Sequence, residues 1–369
     1  MPSIDRRSLQ NFDWVLLGMM LALASAGLLN LYSATHGGAS EGLPPAFRRQ
    51  LVALGVAAGG FAVALLVDYR RLERWAAPLF LASLVLLAST LLLAPVVRGS
   101  RSWLIYGPLS LQPAELAKIT LVVVMARYFQ QHPPSEIRRI RELVPPALLV
   151  ALPVGLIVLQ RDLGVAVLTL LIAATYLPFV RIPLRAWAAL AAVGVLALAG
   201  LWQFFLRDYQ RERILDFLDP SRDPLASGYQ ALQSKIAIGS GGLFGSGWLE
   251  GTQTQLSFLP TQHSDFIFSV LAEEWGFVGA AGVLALYAAM LLWGLAIARN
   301  SKDSFGAMLA VGLVGVLFWP AAINVAMVLG LAPVIGVPLP LFSYGGSALL
   351  ASLIAVGLML NVSMRRYMF

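Results

Sequence analysis

Long apolar runs alternate with short polar segments along the whole chain. A membrane-crossing helix needs about 20 mostly apolar residues. Runs of that kind fall at roughly 14–33, 51–67, 75–97, 113–129, 143–160, 163–180, 184–206, 266–298, 304–332 and 341–363. The pattern predicts an all-α integral membrane protein with ten transmembrane helices. The first run reads as a mature helix rather than a cleaved leader, since Gly27-Leu-Leu-Asn30 offers no small-x-small cleavage site. The run 266–298 has 33 residues, long enough to tilt strongly or to begin as an interfacial helix. Pro320 removes a backbone donor and is expected to kink the run 304–332.

Composition narrows the function classes. Of 369 residues, 59% are hydrophobic and 12% charged, against about 45–50% and 25% in soluble domains. That balance excludes a soluble enzyme, a disordered chain and a nucleic-acid-binding module. The net charge of +7 then reads as topology rather than as a nucleic-acid partner. With the N-terminus placed in the cytoplasm, fifteen Lys and Arg fall on inner segments and ten on outer ones. Five of those ten lie in one long loop, 207–265, and long loops translocate largely regardless of charge. Both termini are therefore expected in the cytoplasm, with 1–369 a single polytopic domain. Its one large extracytoplasmic loop lies between the seventh and eighth helices.

Nothing in the chain resembles a nucleotide or metal cage. There is no cysteine, and His36, His132 and His263 are far apart. The glycine run Gly239-Ser-Gly-Gly-Leu-Phe-Gly-Ser-Gly247 has neither GxGxxG nor P-loop spacing. It reads as a hinge in preference to a phosphate cradle, and no nucleotide cofactor is expected. The segment 227–238 reads as a short amphipathic helix at the surface.

The ionisable residues outside the inner loops gather toward the outer face. Asp265 stands where the chain re-enters the membrane, where Ser264 and Asp265 both suit a helix N-cap. Glu273 and Glu274 follow eight and nine residues later, about 12–14 Å deeper if the segment is helical. Glu115 and Lys118, three apart, share a helix face, as an internal ion pair or as substrate ligands. Arg101 precedes them as an interfacial anchor or as a ligand for anionic head-groups. A one-sided cluster of this kind suits work on something presented at the outer leaflet. For a sugar on a lipid diphosphate, the diphosphate needs only positive charge to receive it, while the acceptor hydroxyl must lose a proton to a carboxylate. Asp265 with Arg101 and Lys118 supplies that kit, and the same residues can also bind a lipid head-group without chemistry.

At these residues the sequence resembles the SEDS family (shape, elongation, division and sporulation), and within it the elongation branch. The matching stretches include Gln112-Pro-Ala-Glu-Leu-Ala-Lys-Ile119, Phe217-Leu-Asp-Pro220, Gly228-Tyr-Gln-Ala-Leu-Gln-Ser234 and Gly251-Thr-Gln-Thr-Gln-Leu-Ser-Phe-Leu-Pro260. Gln262-His-Ser-Asp-Phe-Ile-Phe268 and Gly336-Val-Pro-Leu-Pro-Leu-Phe-Ser-Tyr-Gly-Gly346 complete the set. The resemblance implies a peptidoglycan glycosyltransferase that polymerises lipid II at the outer face of the bacterial cytoplasmic membrane during elongation. It implies a class B penicillin-binding protein as partner, alongside membrane lipids. The family's essential aspartate carries over onto Asp265 and its polar pair onto Glu115 and Lys118. Gln262 and His263 join Arg101 as substrate-binding residues by the same resemblance, Glu273 and Glu274 are supporting polar groups, and a divalent cation (Mg or Mn) is expected near Asp265. Ser264, Thr261, Arg161 and Ala272 depart from the usual pattern without removing a proposed catalytic group. Two rival readings remain: a lipid II flippase, which needs a polar path through the inner half of the bundle where little beyond Asn324 is found, and a non-catalytic scaffold for the penicillin-binding protein.

Overall fold

The computed structural model describes residues 11–37, 42–97, 99–106, 109–133, 139–181, 184–206, 208–218 and 227–366. Arg6, Arg7, Arg98, Arg138, Arg207 and the turn-rich 219–224 lie outside them. Helices dominate, in the order α1 (Trp14–His36), α2 (Pro45–Leu66), α3 (Tyr69–Leu93), α4 (Pro113–Gln131), α5 (Val144–Leu159), α6 (Leu163–Ala174) and α7 (Leu184–Gly200). Then come α8 (Asp208–Leu218), α9 (Ser227–Ser240), the single turn α10 (Thr252–Gln255), α11 (Ile267–Arg299), α12 (Ser304–Val328) and α13 (Gly346–Arg365). Among the described residues, seven helices are long and apolar enough to cross a membrane. The runs at 113–129, 163–180 and 184–206 are carried by α4 and by the shorter α6 and α7. Pro320 lies inside α12 without ending it.

A hairpin precedes α4 that the apolar pattern did not show. Strands β1 (Leu104–Tyr106) and β2 (Leu109–Leu111) pair antiparallel, Leu104 opposite Leu111. The buried centre of the bundle is built on α4, α12 and α13, whose apolar side chains are covered on most sides.

At one end of the bundle, side chains tie the helix termini to one another. Asn361 Nδ2 donates to the carbonyls of Ala64, Leu65 and Val67 at 2.8, 2.9 and 2.6 Å, closing the open end of α2. Its Oδ1 accepts from the Tyr69 amide that begins α3. Asp303 caps α12 through the Gly306 amide at 2.7 Å and accepts from the Tyr69 hydroxyl. Asp13 caps α1 and accepts from Trp293 Nε1 at 2.8 Å.

The opposite end departs from simple hairpins. Of the two expectations for 266–298, a single tilted helix is overturned and a separate first segment is found. Gly276, at φ 66° and ψ −166°, breaks α11 in two. A break leaves carbonyls and amides without intrahelical partners, and burying such groups unpaired is costly. Here the glycine run supplies the partners. Ser246 and Gly247 amides donate to the carbonyls of Glu273 and Glu274, while the Phe277 and Val278 amides donate to Gly242 and Leu243, all at 2.9–3.1 Å. Backbone meets backbone so closely that a Cβ on Gly241 would fall 2.0 Å from the Ala272 oxygen, and one on Gly245 2.1 Å from the Glu274 oxygen. The run is thus neither a free hinge nor a phosphate cradle; it is the second half of a hydrogen-bonded seam.

The break also reverses an expected depth order. Asn30 on α1 donates to the Ile267 carbonyl at 2.9 Å, and Ser33, one turn further along α1, donates to Glu274. Had the 267–275 segment descended along α1, Glu274 would lie about 10 Å below Ile267, out of reach of Ser33. The segment instead crosses one end of the bundle, and only the half after Gly276 runs back along α1 to Trp293 and Asp13. Glu273 and Glu274 are therefore not 12–14 Å deeper than Asp265.

Candidate functional site

Two polar groups of side chains stand at the end of the bundle that carries Asp265 and are joined by one loop. The first begins where β2 delivers Gln112 to the start of α4. The Gln112 amide donates to Ser347 Oγ at 2.9 Å, and that hydroxyl donates to the Ser110 carbonyl, which ties the start of α4 to the start of α13. One turn in, Lys118 Nζ lies 2.7 Å from Glu115 Oε1, and both side chains are buried. The internal ion pair that the spacing allowed is formed, and it stands beside a second carboxylate. Asp162, which caps α6 through the Val165 amide, accepts from Gln112 Nε2 at 2.8 Å and from the Ser102 hydroxyl. Burial pushes the Asp162 carboxyl up from the ordinary range, and the nearby Glu115 charge pushes the same way. Arg101 flanks this group: its amide donates to the Gln160 carbonyl, and its exposed guanidinium donates to the Leu91 carbonyl at 3.2 Å.

The second group is the re-entry turn that carries Asp265. The N-cap position of α11 falls on Phe266 and no side chain caps it. The N-cap position thus falls one residue past Ser264 and Asp265, and Ser264 Oγ donates to the Thr261 carbonyl. The 336–346 segment lies along this turn as a strap. Ser343 Oγ donates to the Ser264 carbonyl at 2.6 Å, and the Tyr344 amide donates to the His263 carbonyl at 3.0 Å. Gln50 on α2 grips the far end of the strap, donating to the Ser343 carbonyl and accepting from the Gly345 amide. Asn324, expected in the inner half, instead stands here beside the Asp265 turn, near the C-terminal end of α12. It donates to the carbonyls of Asp265 and Val337 at 2.8 and 2.7 Å.

The strap also connects the two groups. A Cβ on Gly164, one residue into α6 from the Asp162 cap, would fall 2.9 Å from the Ile335 oxygen. A Cβ on the next residue, Gly336, would fall 3.6 Å from Asp265 Oδ2. Gly336 has φ 73°, in the left-handed region that favours glycine. Asp162 and Asp265 thus flank one short stretch of backbone.

The remaining expected residues are placed as follows. The His263 ring packs edge-on against Tyr344, with centroids 5.4 Å apart. Gln262 is buried and its amide donates to the carbonyls of Ala34 and Thr254. The Glu273 carboxylate accepts from the amides of Gln253 and Thr254 at 2.7 and 3.1 Å and from the Thr254 hydroxyl. These three contacts fasten α10 onto α11. Glu273, Glu274 and Gln262 stitch the 249–262 stretch to the bundle, the Glu115–Lys118 pair stands near Asp162, and the Arg101 guanidinium turns away to the Leu91 carbonyl. Asp162, Gln112 and Asn324 were not singled out as site residues from sequence; the Asp162-Leu-Gly stretch, a carboxylate at a helix start, was the available signal.

The divalent cation expected near Asp265 can be tested against these donors. Among the described residues no three or more His, Cys, Asp or Glu side chains converge to hold a metal. Magnesium is commonly held by one or two carboxylates together with substrate phosphates rather than by an all-protein cage. Asp265 fits a cation shared with a diphosphate.

Comparison with known proteins agrees with this architecture. Residues 13–368 match the family model of FtsW, RodA and SpoVE, described as cell cycle protein. The peptidoglycan glycosyltransferase MrdB of Escherichia coli K12 is 37% identical over 369 residues, covering 97% of this chain and 95% of that protein. A chain of a solved peptidoglycan synthase complex, described as coordinating polymerization and crosslinking, superposes with a TM-score of 0.80 at 36% identity, covering 97% of this chain and 99% of that one. The rod shape determining protein RodA of Thermus thermophilus superposes with a TM-score of 0.72 at 35% identity, with 97% and 98% covered.

Proposed function

The chain belongs to the FtsW, RodA and SpoVE family of cell cycle proteins, and from that premise we propose that it is a peptidoglycan glycosyltransferase that polymerises lipid II during cell elongation. It is a multi-pass membrane protein. In this reading it has ten spans in one polytopic domain with both termini in the cytoplasm, and 207–265 is the extracytoplasmic loop. Its active face is the outer face of the bacterial cytoplasmic membrane. A class B penicillin-binding protein is its partner, a reading supported by the similarity to a chain of a peptidoglycan synthase complex.

The observation that carries the mechanism is the placement of Asp265 on a re-entry turn walled by the strap, with Gly336 leaving room beside Oδ2. The acceptor hydroxyl oxygen attacks the anomeric carbon of the donor sugar, and the bond from that carbon to the lipid diphosphate breaks with its electron pair on the diphosphate. The hydroxyl proton passes to Asp265 Oδ2. Arg101 and Lys118 supply positive charge toward the leaving diphosphate, and Glu115 keeps the lysine oriented. A divalent cation, if bound, would be held by Asp265 and would supply further positive charge for the leaving diphosphate. Gln262 and His263 hold the turn on which Asp265 sits.

The test is strand synthesis from lipid II by the purified protein with its partner. Asp265→Ala is expected to abolish polymer while the melting temperature stays within a few degrees. Full polymerisation by that variant overturns the assignment, and lipid II translocation into liposomes that persists in it favours a flippase.

A further inference from the structure

Asn324 is fully buried and sits between two elements that are distant in sequence. One is the turn that carries Asp265; the other is the strap segment that begins at Gly336. Its Nδ2 has two hydrogens, and both are donated to main-chain carbonyls, Asp265 at 2.8 Å and Val337 at 2.7 Å. Two carbonyl partners fix the orientation of the amide, since the opposite flip would set oxygen against oxygen. The Asn324 Oδ1 is buried with no partner in the structure, so the side chain is not held there by its acceptor. What it gains is the pair of donated bonds.

Their geometry has a specific effect. The Asp265 carboxylate is three bonds from the carbonyl that Asn324 grips. The strap residue beside Oδ2 is Gly336, directly before the Val337 whose carbonyl Asn324 also grips. Asn324 therefore ties the main chain next to the carboxylate to the backbone facing it. Two further stitches from strap to turn reach the carbonyls of Ser264 and His263.

We propose that Asn324 is a positioning residue for Asp265: by holding the carbonyls of Asp265 and Val337 together it fixes the carboxylate against Gly336 in the geometry that accepts the proton of the attacking hydroxyl. This rests on the catalytic reading of Asp265 given above. Asn324 touches no reacting atom in this scheme. Its loss slows turnover and leaves substrate affinity nearly unchanged.

Asn361 provides a matched control. It is also a buried asparagine that donates to main-chain carbonyls, three of them, but at the opposite end of the bundle. Leucine keeps the branched shape of asparagine and removes the donors at either position. The experiment measures kcat and KM for lipid II polymerisation, with melting temperature, for the full chain with its partner and for Asp265→Ala, Asn324→Leu and Asn361→Leu. Asn324→Leu is expected to lose about ten- to hundredfold in kcat, the scale of a displacement of about 1 Å at a reacting centre, with KM within about threefold. Asn361→Leu, with an equal or larger fall in melting temperature, is expected to keep kcat within about threefold where both are folded. The proposal is overturned if Asn324→Leu keeps wild-type kcat, or if Asn361→Leu loses turnover in the same proportion. An active Asp265→Ala overturns the catalytic reading and this inference with it; an inactive Asp265→Ala beside a fully active Asn324→Leu overturns this inference alone. If Asn324→Leu does not fold, Asn324→Ser, smaller and still a donor, carries the same comparison.

Discussion

Lys118 Nζ stands 2.7 Å from Glu115 Oε1, with both side chains buried and only one helical turn between them. Removing one partner strands a buried charge, which costs about 3–5 kcal/mol, whereas replacing both by apolar groups of similar size is often neutral. Lys118→Met alone is expected to lower the melting temperature strongly, and Lys118→Met with Glu115→Leu to recover most of it. Activity separates the two roles of the pair. A stable double variant that makes no glycan strands places Lys118 in substrate binding; a stable and active one reduces the pair to structure.

Gly245 offers a sharper test of the seam. A Cβ there lies 2.1 Å from the Glu274 oxygen, and the residue has φ 84°. Gly245→Ala is expected to destabilise the protein by about 2–4 kcal/mol, the range of overpacking joined to backbone strain. The exposed neighbour Phe244→Ala is expected to stay within about 0.5 kcal/mol. Thermal unfolding of the two variants side by side checks this, and equal losses contradict the seam.

Asp162 predicts a pH dependence. Burial raises its carboxyl above the ordinary value, so the unfolded chain ionises first as pH rises. Stability from this group is therefore fullest below the ordinary carboxyl value, about 3.9. It falls as pH climbs from there to the raised value and is flat above. Asp162→Asn keeps an acceptor for Gln112 and removes the titration. The variant is expected to be at least as stable as wild type near neutrality and to flatten the decline in melting temperature above pH 4. A steeper decline in the variant contradicts it.

Glu273 is expected to behave as a structural carboxylate. It accepts two amides and a hydroxyl from the turn at 252–254, and hydrogen bonds to a charged group contribute about 1.5–3 kcal/mol. Glu273→Gln is expected to retain part of this and Glu273→Ala to lose it, with polymerisation falling in step with the folded fraction. Activity lost from a fully folded Glu273→Gln assigns it to the chemistry instead.

Seven of the expected spans and the grouping of Glu115 with Lys118 were legible in the sequence because both depend on local spacing, apolar length in one case and three-residue helical phase in the other. The path of the 267–275 segment was not. Its apolar run is continuous, and the turn rests on the single backbone conformation of Gly276, which no hydropathy pattern records. Asn324 was misplaced for a related reason. Its depth depends on which end of α12 it occupies, and its partners are carbonyls of residues far away in the chain. Asp162 carries an ordinary helix-start signature, and its place beside Gln112 appears only when α4 and α6 are packed together.

The seam at Gly276 has a consequence for how this architecture can change. The break in α11 is tolerable only because another stretch of main chain completes its hydrogen bonds, and that stretch can approach only because glycines line it. Neither half is an independent part. A graft that moves the outer loop without residues 272–278, or the helix without 241–247, carries unfilled donors and acceptors into its new host. The two halves of the seam, 241–247 and 272–278, have to be exchanged together, and exposed side chains such as Leu243 and Phe244 are free to vary within them.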